Sequence, residues 1–134
     1  MLELTMASVS AADAGATAGM MMADAPSDPG SVLRVGRDTS VCRLVTPDDW
    51  LFVSRVHLEF LCGPEGDWQV GWLRGSLAEP SSEVVLTLAG QPAQALPYGG
   101  AVRLPRGASG ELVIRDRTAP RSVNVGFYHE AHAA

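Results

Sequence analysis

The chain has 134 residues, a net charge of −5 and 46% hydrophobic residues, which is enough apolar material for one folded domain. All ten basic residues are Arg and follow residue 30, where eleven acidic residues nearly cancel their charge. This balance leaves no basic stripe for nucleic acid, and no apolar run is long enough to cross a membrane as a helix. We therefore expect neither nucleic-acid binding nor membrane insertion.

The first 30 residues are rich in Ala, Gly, Ser, Met and Asp and contain no aromatic residue. This composition offers little to bury, so we predict a disordered tail over residues 1–30. From Ser31 the chain changes to short apolar runs separated by Gly, Pro and polar turn residues, with no convincing amphipathic helix.

The apolar runs are four to six residues long in most cases and fall at 31–35, 41–45, 50–53, 56–61, 68–73, 84–88, 95–96, 101–104, 111–115 and 123–127. Many short alternating segments between turns are typical of a sandwich or barrel. We predict an all-β sandwich of about ten or eleven strands over residues 31–128, followed by a short tail at 129–134.

Two cysteines, Cys42 and Cys62, belong to no C-x-x-C pair and are too few for a disulfide scaffold. We expect both to be buried thiols in a reducing compartment, and we place the protein in the cytoplasm. No cluster with metal-ligand spacing and no glycine-rich phosphate cradle occurs, so we expect no metal and no cofactor.

Two short fragments carry most of the information about function. Gly36-Arg37 follows the first run, and Ser54-Arg55-Val56-His57 leads into the run at 56–61, with Trp68-Gln69-Val70 coming later. The order and spacing resemble the signature of forkhead-associated (FHA) domains in bacterial proteins: a G-R turn, then S-R-x-H, then a W-x-V strand. The resemblance covers most of residues 32–115 and implies an FHA-like β-sandwich.

The resemblance also implies a function and a set of site residues. FHA domains bind phosphothreonine peptides in Ser/Thr kinase signalling and are not enzymes, so the implied partner is a phosphorylated protein or peptide, such as a kinase substrate. By this resemblance Arg37 and Ser54 contact the phosphate, Arg55 adds positive charge, and Gly36 and His57 brace the loops. A guanidinium at a strand end suits this role because it holds phosphate through paired hydrogen bonds.

Simpler interpretations of the same residues remain open. Arg37 and Arg55 can be ordinary solvated arginines, and Ser54 can be a turn residue. If the segment is a strand, odd spacing puts Ser54 and Cys62 on the face opposite His57, which disfavours a catalytic pair. We therefore expect no enzyme.

The loop after the W-x-V strand departs from the family pattern. Gly75-Ser76 matches its start, and we take Ser76 as a further phosphopeptide ligand. The positions where the family has Asn and Gly hold Ala78 and Glu79 here, and the segment up to Gly90 is longer. The alternative hypothesis is therefore a phospho-independent FHA-fold scaffold that holds its partner through the altered loop at 76–85.

Overall fold

The computed structural model describes residues 1–10, 17–75 and 78–130, with the side chains of 17–19 excepted. Every regular element in these ranges is a β-strand, so the predicted all-β class is confirmed. The described residues form eleven strands: β1 Leu2–Ser10, β2 Thr17–Ala25, β3 Val32–Gly36, β4 Leu44–Val45, β5 Leu58–Cys62, β6 Trp68–Trp72, β7 Ser82–Leu88, β8 Gln94–Leu96, β9 Ala101–Leu104, β10 Ser109–Asp116 and β11 Arg121–His129.

The strands form two sheets that pack face to face. The six-stranded sheet has the order β2-β1-β11-β10-β7-β8, and the five-stranded sheet has the order β4-β3-β5-β6-β9. The pairings are antiparallel except for the short parallel pair of β3 and β4. This two-sheet arrangement is the predicted sandwich.

Alternate side chains of each strand fill the space between the sheets. In the five-stranded sheet Leu33, Phe60 and Val70 lie in register across β3, β5 and β6 and are fully or almost fully buried. In the other sheet Leu112 and Val125 occupy the same inward position. Burying one such side chain contributes about 1.5–3 kcal/mol relative to leaving it exposed. This core supports the loops at the ends of the sandwich.

The prediction of a disordered tail over residues 1–30 is wrong for the described part of that segment. β1 lies inside the six-stranded sheet, between β2 and β11, with Leu4 paired to Phe127. Leu2, Leu4 and Met6 are buried because they alternate with polar or small residues and so reach the core from one face. The Ala- and Gly-rich composition hid this short alternation. Residues 11–16 lie outside the described residues.

Two further boundaries differ from the prediction. β11 extends to His129, which is buried with Nδ1 3.2 Å from the Leu104 carbonyl oxygen, so the sandwich does not end at 128. The run at 50–53 forms a turn instead of a strand, closed by the Val53 N–H donating to the Trp50 carbonyl at 3.0 Å. Phe52 and Val53 are both buried, which breaks the alternation a strand requires. Residues 131–134 are not among those described.

The thiols of Cys42 and Cys62 are buried and unpaired. Within 1–10, 17–75 and 78–130, no helix has the length and apolar character needed to cross a membrane.

Candidate functional site

The two motif fragments lie side by side at one end of the five-stranded sheet. β3 and β5 pair in antiparallel fashion as far as Val35 and Leu58, and separate backbone hydrogen bonds join the loops beyond the strand ends. The Arg37 N–H donates to the Ser54 carbonyl at 3.2 Å, and the Asp38 N–H donates to the Arg55 carbonyl at 3.0 Å. Backbone hydrogen bonds therefore join segments that are seventeen residues apart in the chain.

Gly36 permits this close approach. A Cβ atom at this position would collide with the Arg55 carbonyl oxygen and would lie 2.9 Å from the Cα of Val56. Both obstacles are backbone atoms, which cannot rotate away as a flexible side chain can. Any other residue here would push the two motif segments apart.

The Arg37 side chain is half-buried and oriented by the turn that follows β4. Its Nε donates to the Val53 carbonyl at 2.6 Å, and its Nη1 makes a longer contact of 3.4 Å with the Asp48 carbonyl. A guanidinium has five N–H groups, so these contacts set its direction and leave donors for an anion.

Ser54 and Arg55 lie beside Arg37 but differ in exposure. Ser54 is half-buried, whereas Arg55 is exposed at the rim.

Two titratable groups near Arg55 have shifted pKa values. Hydrogen bonds from Ser40 lower the pKa of Asp38, and the charge of Arg55 adds to this effect. The Arg55 carbonyl also accepts a contact of 3.4 Å from the Cys42 thiol, whose pKa is raised by burial.

His57 is buried, with 1% of its surface exposed, and its ring meets the loop backbone. Nδ1 accepts the Ser54 N–H at 2.9 Å, so in the neutral ring the proton is on Nε2, which faces Ser82 Oγ at 3.4 Å. Burial lowers the pKa of His57 to about 4, which keeps it neutral near pH 7. With one nitrogen accepting and the other protonated, the ring cannot take a proton from Ser54 or Ser82.

The segment that carries Ser54 and His57 is not the strand that the sequence led us to expect. Ser54 and His57 precede β5 and lie in a loop, so the alternation of faces in a strand does not apply to them. The ring meets Ser54 through the backbone N–H, which Nδ1 accepts, and that nitrogen has no lone pair left for the Ser54 hydroxyl.

The motif residues line one cleft of about 440 Å³. The structure thus brings Arg37, Ser54 and Arg55 together, while Ser76 lies outside the described residues. The other lining residues come from the turn after β4, the loop before β5, the segment between β6 and β7, the start of β7 and the turn before β9: Leu51, Phe52, Val56, His57, Gly75, Pro80, Ser81, Ser82 and Tyr98.

A second concavity of about 450 Å³ lies beside β1, β2 and β11. Glu3 and Asp24 line it together with a single Arg, Arg43. Its charge does not suit an anion, and the motif residues do not reach it. The cleft at Arg37 is therefore the candidate site.

Comparisons with known proteins identify the architecture. No protein-family model matches the sequence, and no curated protein matches it either. An engineered FHA domain with a Myc-pTBD peptide superposes with a TM-score of 0.60 at 14% identity, covering 96% of this chain and 92% of that one. The N-terminal FHA domain of Rad53p from S. cerevisiae, in complex with a phosphothreonine peptide, gives a TM-score of 0.56 at 11% identity, with 94% of both chains covered.

The chain has the FHA fold. The sandwich that the motif fragments implied is therefore confirmed as an FHA-like sandwich. Sequence identities this low carry the likeness as far as the fold. The ligand of this FHA fold depends on the residues that line its cleft.

Tyr98 is a residue of the cleft that sequence reasoning missed. Its hydroxyl accepts the Gly75 N–H at 2.7 Å and so holds the start of the altered loop. The Arg74 guanidinium lies 4.6 Å from the centre of the Tyr98 ring, and that ring meets Trp72 edge-on at 5.1 Å. The sequence signal was weak because Tyr98 stands between Pro97 and Gly99, where it looks like an ordinary turn residue.

The far end of the altered loop also returns to the cleft. Ser81 is exposed at its edge, and the next residue, Ser82, is buried against His57. Gly75 is close as well, since a Cβ built on it would lie 3.9 Å from Ser54 Oγ. Both ends of the loop in this FHA-fold domain thus flank the motif residues. No group of three or more His, Cys, Asp or Glu suited to a metal occurs in the part of the chain that the structure describes.

Proposed function

We propose that this FHA-fold domain is a non-catalytic phosphothreonine-peptide reader that recognises the products of Ser/Thr protein kinases in the cytoplasm. The observation that carries the proposal is the convergence of Arg37, Ser54 and Arg55 on one cleft. The FHA domain of Rad53p, which superposes on this chain, is in complex with a phosphothreonine peptide, and this likeness supports the same ligand class here.

In this proposal each motif residue has a separate role. Arg37 is already directed by the Val53 carbonyl and offers its remaining N–H groups to the phosphate. Ser54 adds a hydroxyl, Arg55 adds positive charge from the rim, and Ser76 is a further ligand. Hydrogen bonds to a charged group contribute about 1.5–3 kcal/mol each, so two or three of them can hold a phosphate.

The absence of catalysis belongs to the same proposal. His57 is the histidine at the cleft, and its ring is neutral, buried and engaged at both nitrogens. A general base needs a free lone pair directed at the group it deprotonates. Gly36 and His57 therefore act as braces in this proposal.

The altered loop makes the expected affinity modest. Ala78 offers no side-chain donor to a peptide backbone, and exposed Glu79 next to it is acidic. Losing one hydrogen bond worth about 1.4 kcal/mol weakens binding about tenfold. We expect dissociation constants in the high micromolar range, since half-buried Arg37 and exposed Arg55 carry much of the attraction.

A phospho-independent scaffold is the second candidate, favoured by the same substitution at Ala78 and Glu79. In that case the partner contacts the 76–85 segment, whose last four residues form the start of β7 and are not loop as expected, and it does not require phosphate. The two candidates differ in their dependence on Arg37, because a scaffold that uses the loop alone does not need its guanidinium.

Titration of the domain with matched phosphorylated and unphosphorylated threonine peptides tests the proposal. We expect binding of the phosphorylated set only, with a loss of at least about tenfold in Arg37→Ala. Arg115→Ala is the matched control, because Arg115 is exposed on β10, outside the residues that line the cleft. Equal binding of both peptide sets, or a native partner retained by Arg37→Ala after phosphatase treatment, would overturn the reader in favour of the scaffold.

A further inference from the structure

A connected set of side chains links the cleft to the turn between β10 and β11. We propose that Arg121 is a positioning residue for this site. It packs against the aromatic side chains of the turn at 47–53, fixes the position of that turn and thereby directs the Arg37 guanidinium. The inference rests on the proposed function for its binding readout, while the link between the two arginines can be measured without any ligand.

Arg121 is itself held firmly. Its Nη2 and Nε donate to Oδ2 of Asp116 at 2.8 and 3.2 Å, which is a two-pronged contact with one carboxylate. The other oxygen of Asp116 accepts the N–H and the hydroxyl of Thr118 at 2.9 and 3.0 Å. Only 2% of the Asp116 side chain is exposed. A guanidinium fixed in this way has a defined plane and position.

The held guanidinium packs against two aromatic rings of the turn. Its central carbon lies 5.4 Å from the centre of the Trp50 ring and 5.3 Å from that of Phe52. The rings themselves are 5.5 Å apart and tilted by 32°. Both side chains are buried, so Arg121 forms part of the surface on which the turn rests.

The same turn provides the carbonyl groups that orient Arg37. The Trp50 N–H donates to the Pro47 carbonyl at 3.1 Å, and the Val53 N–H donates to the Trp50 carbonyl at 3.0 Å. The Val53 carbonyl in turn accepts Arg37 Nε at 2.6 Å. Because the rings and the carbonyl belong to one hydrogen-bonded turn, displacing the rings displaces the acceptor that directs Arg37.

The geometry separates this role from that of an ordinary stabilising ion pair. Arg34 and Glu59 also form a partly buried pair, with Nε 3.0 Å from Oε2, but they lie on β3 and β5, and the guanidinium that packs over these rings is that of Arg121. Arg34→Ala is therefore the matched control. It removes an arginine ion pair and leaves the chain from Arg121 to Arg37 complete.

The test combines the Arg37 side-chain signal with a double-mutant cycle. In the free protein, proton–nitrogen NMR should show at least about tenfold faster solvent exchange of the Arg37 Nε–H in Arg121→Ala, but not in Arg34→Ala. Arg121→Ala should weaken phosphothreonine-peptide binding about five- to tenfold, yet change it less than about twofold when Arg37 is already Ala. Arg121→Lys keeps the charge without the two-pronged contact and should show the same pattern if Arg121→Ala does not fold.

Each result decides the inference. An unchanged Arg37 Nε–H signal in both Arg121 variants would overturn it, whatever peptide is bound, and so would additive effects on affinity. A changed Nε–H signal in a protein that binds no phosphopeptide would sustain the link between the arginines and overturn the proposed reader instead.

Discussion

His57 accepts the backbone N–H of Ser54 through Nδ1 at 2.9 Å, so a buried ring holds the loop that carries both Ser54 and Arg55. The opposite nitrogen of the ring faces Ser82 at the start of β7, where the altered loop ends. One imidazole thus connects the two loops that border the cleft. The same ring stacks on Trp72 with centres 5.4 Å apart. Loop geometry therefore depends on a neutral, packed His57.

Replacing His57 should destabilise the domain. We expect His57→Ala to lower the free energy of unfolding by roughly 1–3 kcal/mol, because the Ser54 N–H loses its acceptor and a cavity opens beside Trp72. Chemical denaturation at pH 7 measures the change. An unchanged denaturation midpoint would show that the ring does not brace the loops.

The stability of the domain should depend on pH through His57. Its folded-state pKa of about 4 lies below the ordinary value for histidine, so the unfolded chain binds the proton more readily. The contribution of neutral His57 to the free energy of unfolding is complete above about pH 6.5. It is lost as the pH falls towards 4, and the loss is about 3 kcal/mol at most. Denaturation midpoints between pH 7 and 4 should decline in the native protein, and His57→Ala should lack this part of the decline.

Asp116 should contribute stability in a lower pH range. Burial disfavours its charge, but hydrogen bonds from Thr118 and Arg121 outweigh burial and hold the pKa of this carboxyl below its ordinary value. This stabilisation is fully present above the ordinary pKa of an aspartate, about 4. It is lost as the pH falls through the lower pKa that Asp116 has in the folded state. We expect Asp116→Asn to cost about 1–3 kcal/mol at neutral pH and less in strong acid.

The control for Asp116 is Asp67, whose partner Arg103 is largely exposed at a distance of 3.5 Å. Surface pairs of this kind contribute about 0–1 kcal/mol, so Asp67→Asn should change stability little. Comparable losses in the two variants at neutral pH would contradict the role given to the buried carboxylate.

Gly36→Ala should disturb both stability and binding. The added methyl group collides with the Arg55 carbonyl, and forcing it in should cost about 1–3 kcal/mol and shift the loop that carries Ser54. Gly71→Ala is the matched control, because a Cβ there meets its nearest neighbour at 3.7 Å, an ordinary contact. Thermal unfolding and phosphopeptide titration of the pair test this prediction, which fails if the two variants behave alike.

Restoring the family residues in the altered loop should strengthen the proposed binding. Ala78→Asn with Glu79→Gly adds a donor and removes a negative charge, so we expect phosphothreonine peptides to bind about tenfold more tightly. Binding by the native domain should also weaken steeply with added salt. Glu83→Gln is the charge control, since Glu83 is exposed on β7 between buried Ser82 and Val84 and points away from the core. Equal affinity in the native and doubly substituted domains would argue for the scaffold.

Local patterns in the sequence account for the sandwich and for the pairing of the two motifs. Buried and exposed side chains alternate with a period of two in any strand, so the pattern can be recognised from sequence alone. The spacing of Gly36-Arg37 from Ser54-Arg55 reflects two neighbouring strands. The same rule was available for Leu2, Leu4 and Met6, but the surrounding Ala and Gly obscured it.

Contacts between distant parts of the chain were decided only by the tertiary structure. The acceptors of Arg37, the hydroxyl of Tyr98 on Gly75 and the packing of Arg121 on Trp50 each depend on which strands become neighbours. Hydrogen bonds and ring contacts act over a few ångströms in space, and sequence separation carries almost no information about such distances. The sequence by itself therefore determined the class of fold and the meeting of Arg37, Ser54 and Arg55 at its rim, whereas long-range packing determined how those residues are held and directed.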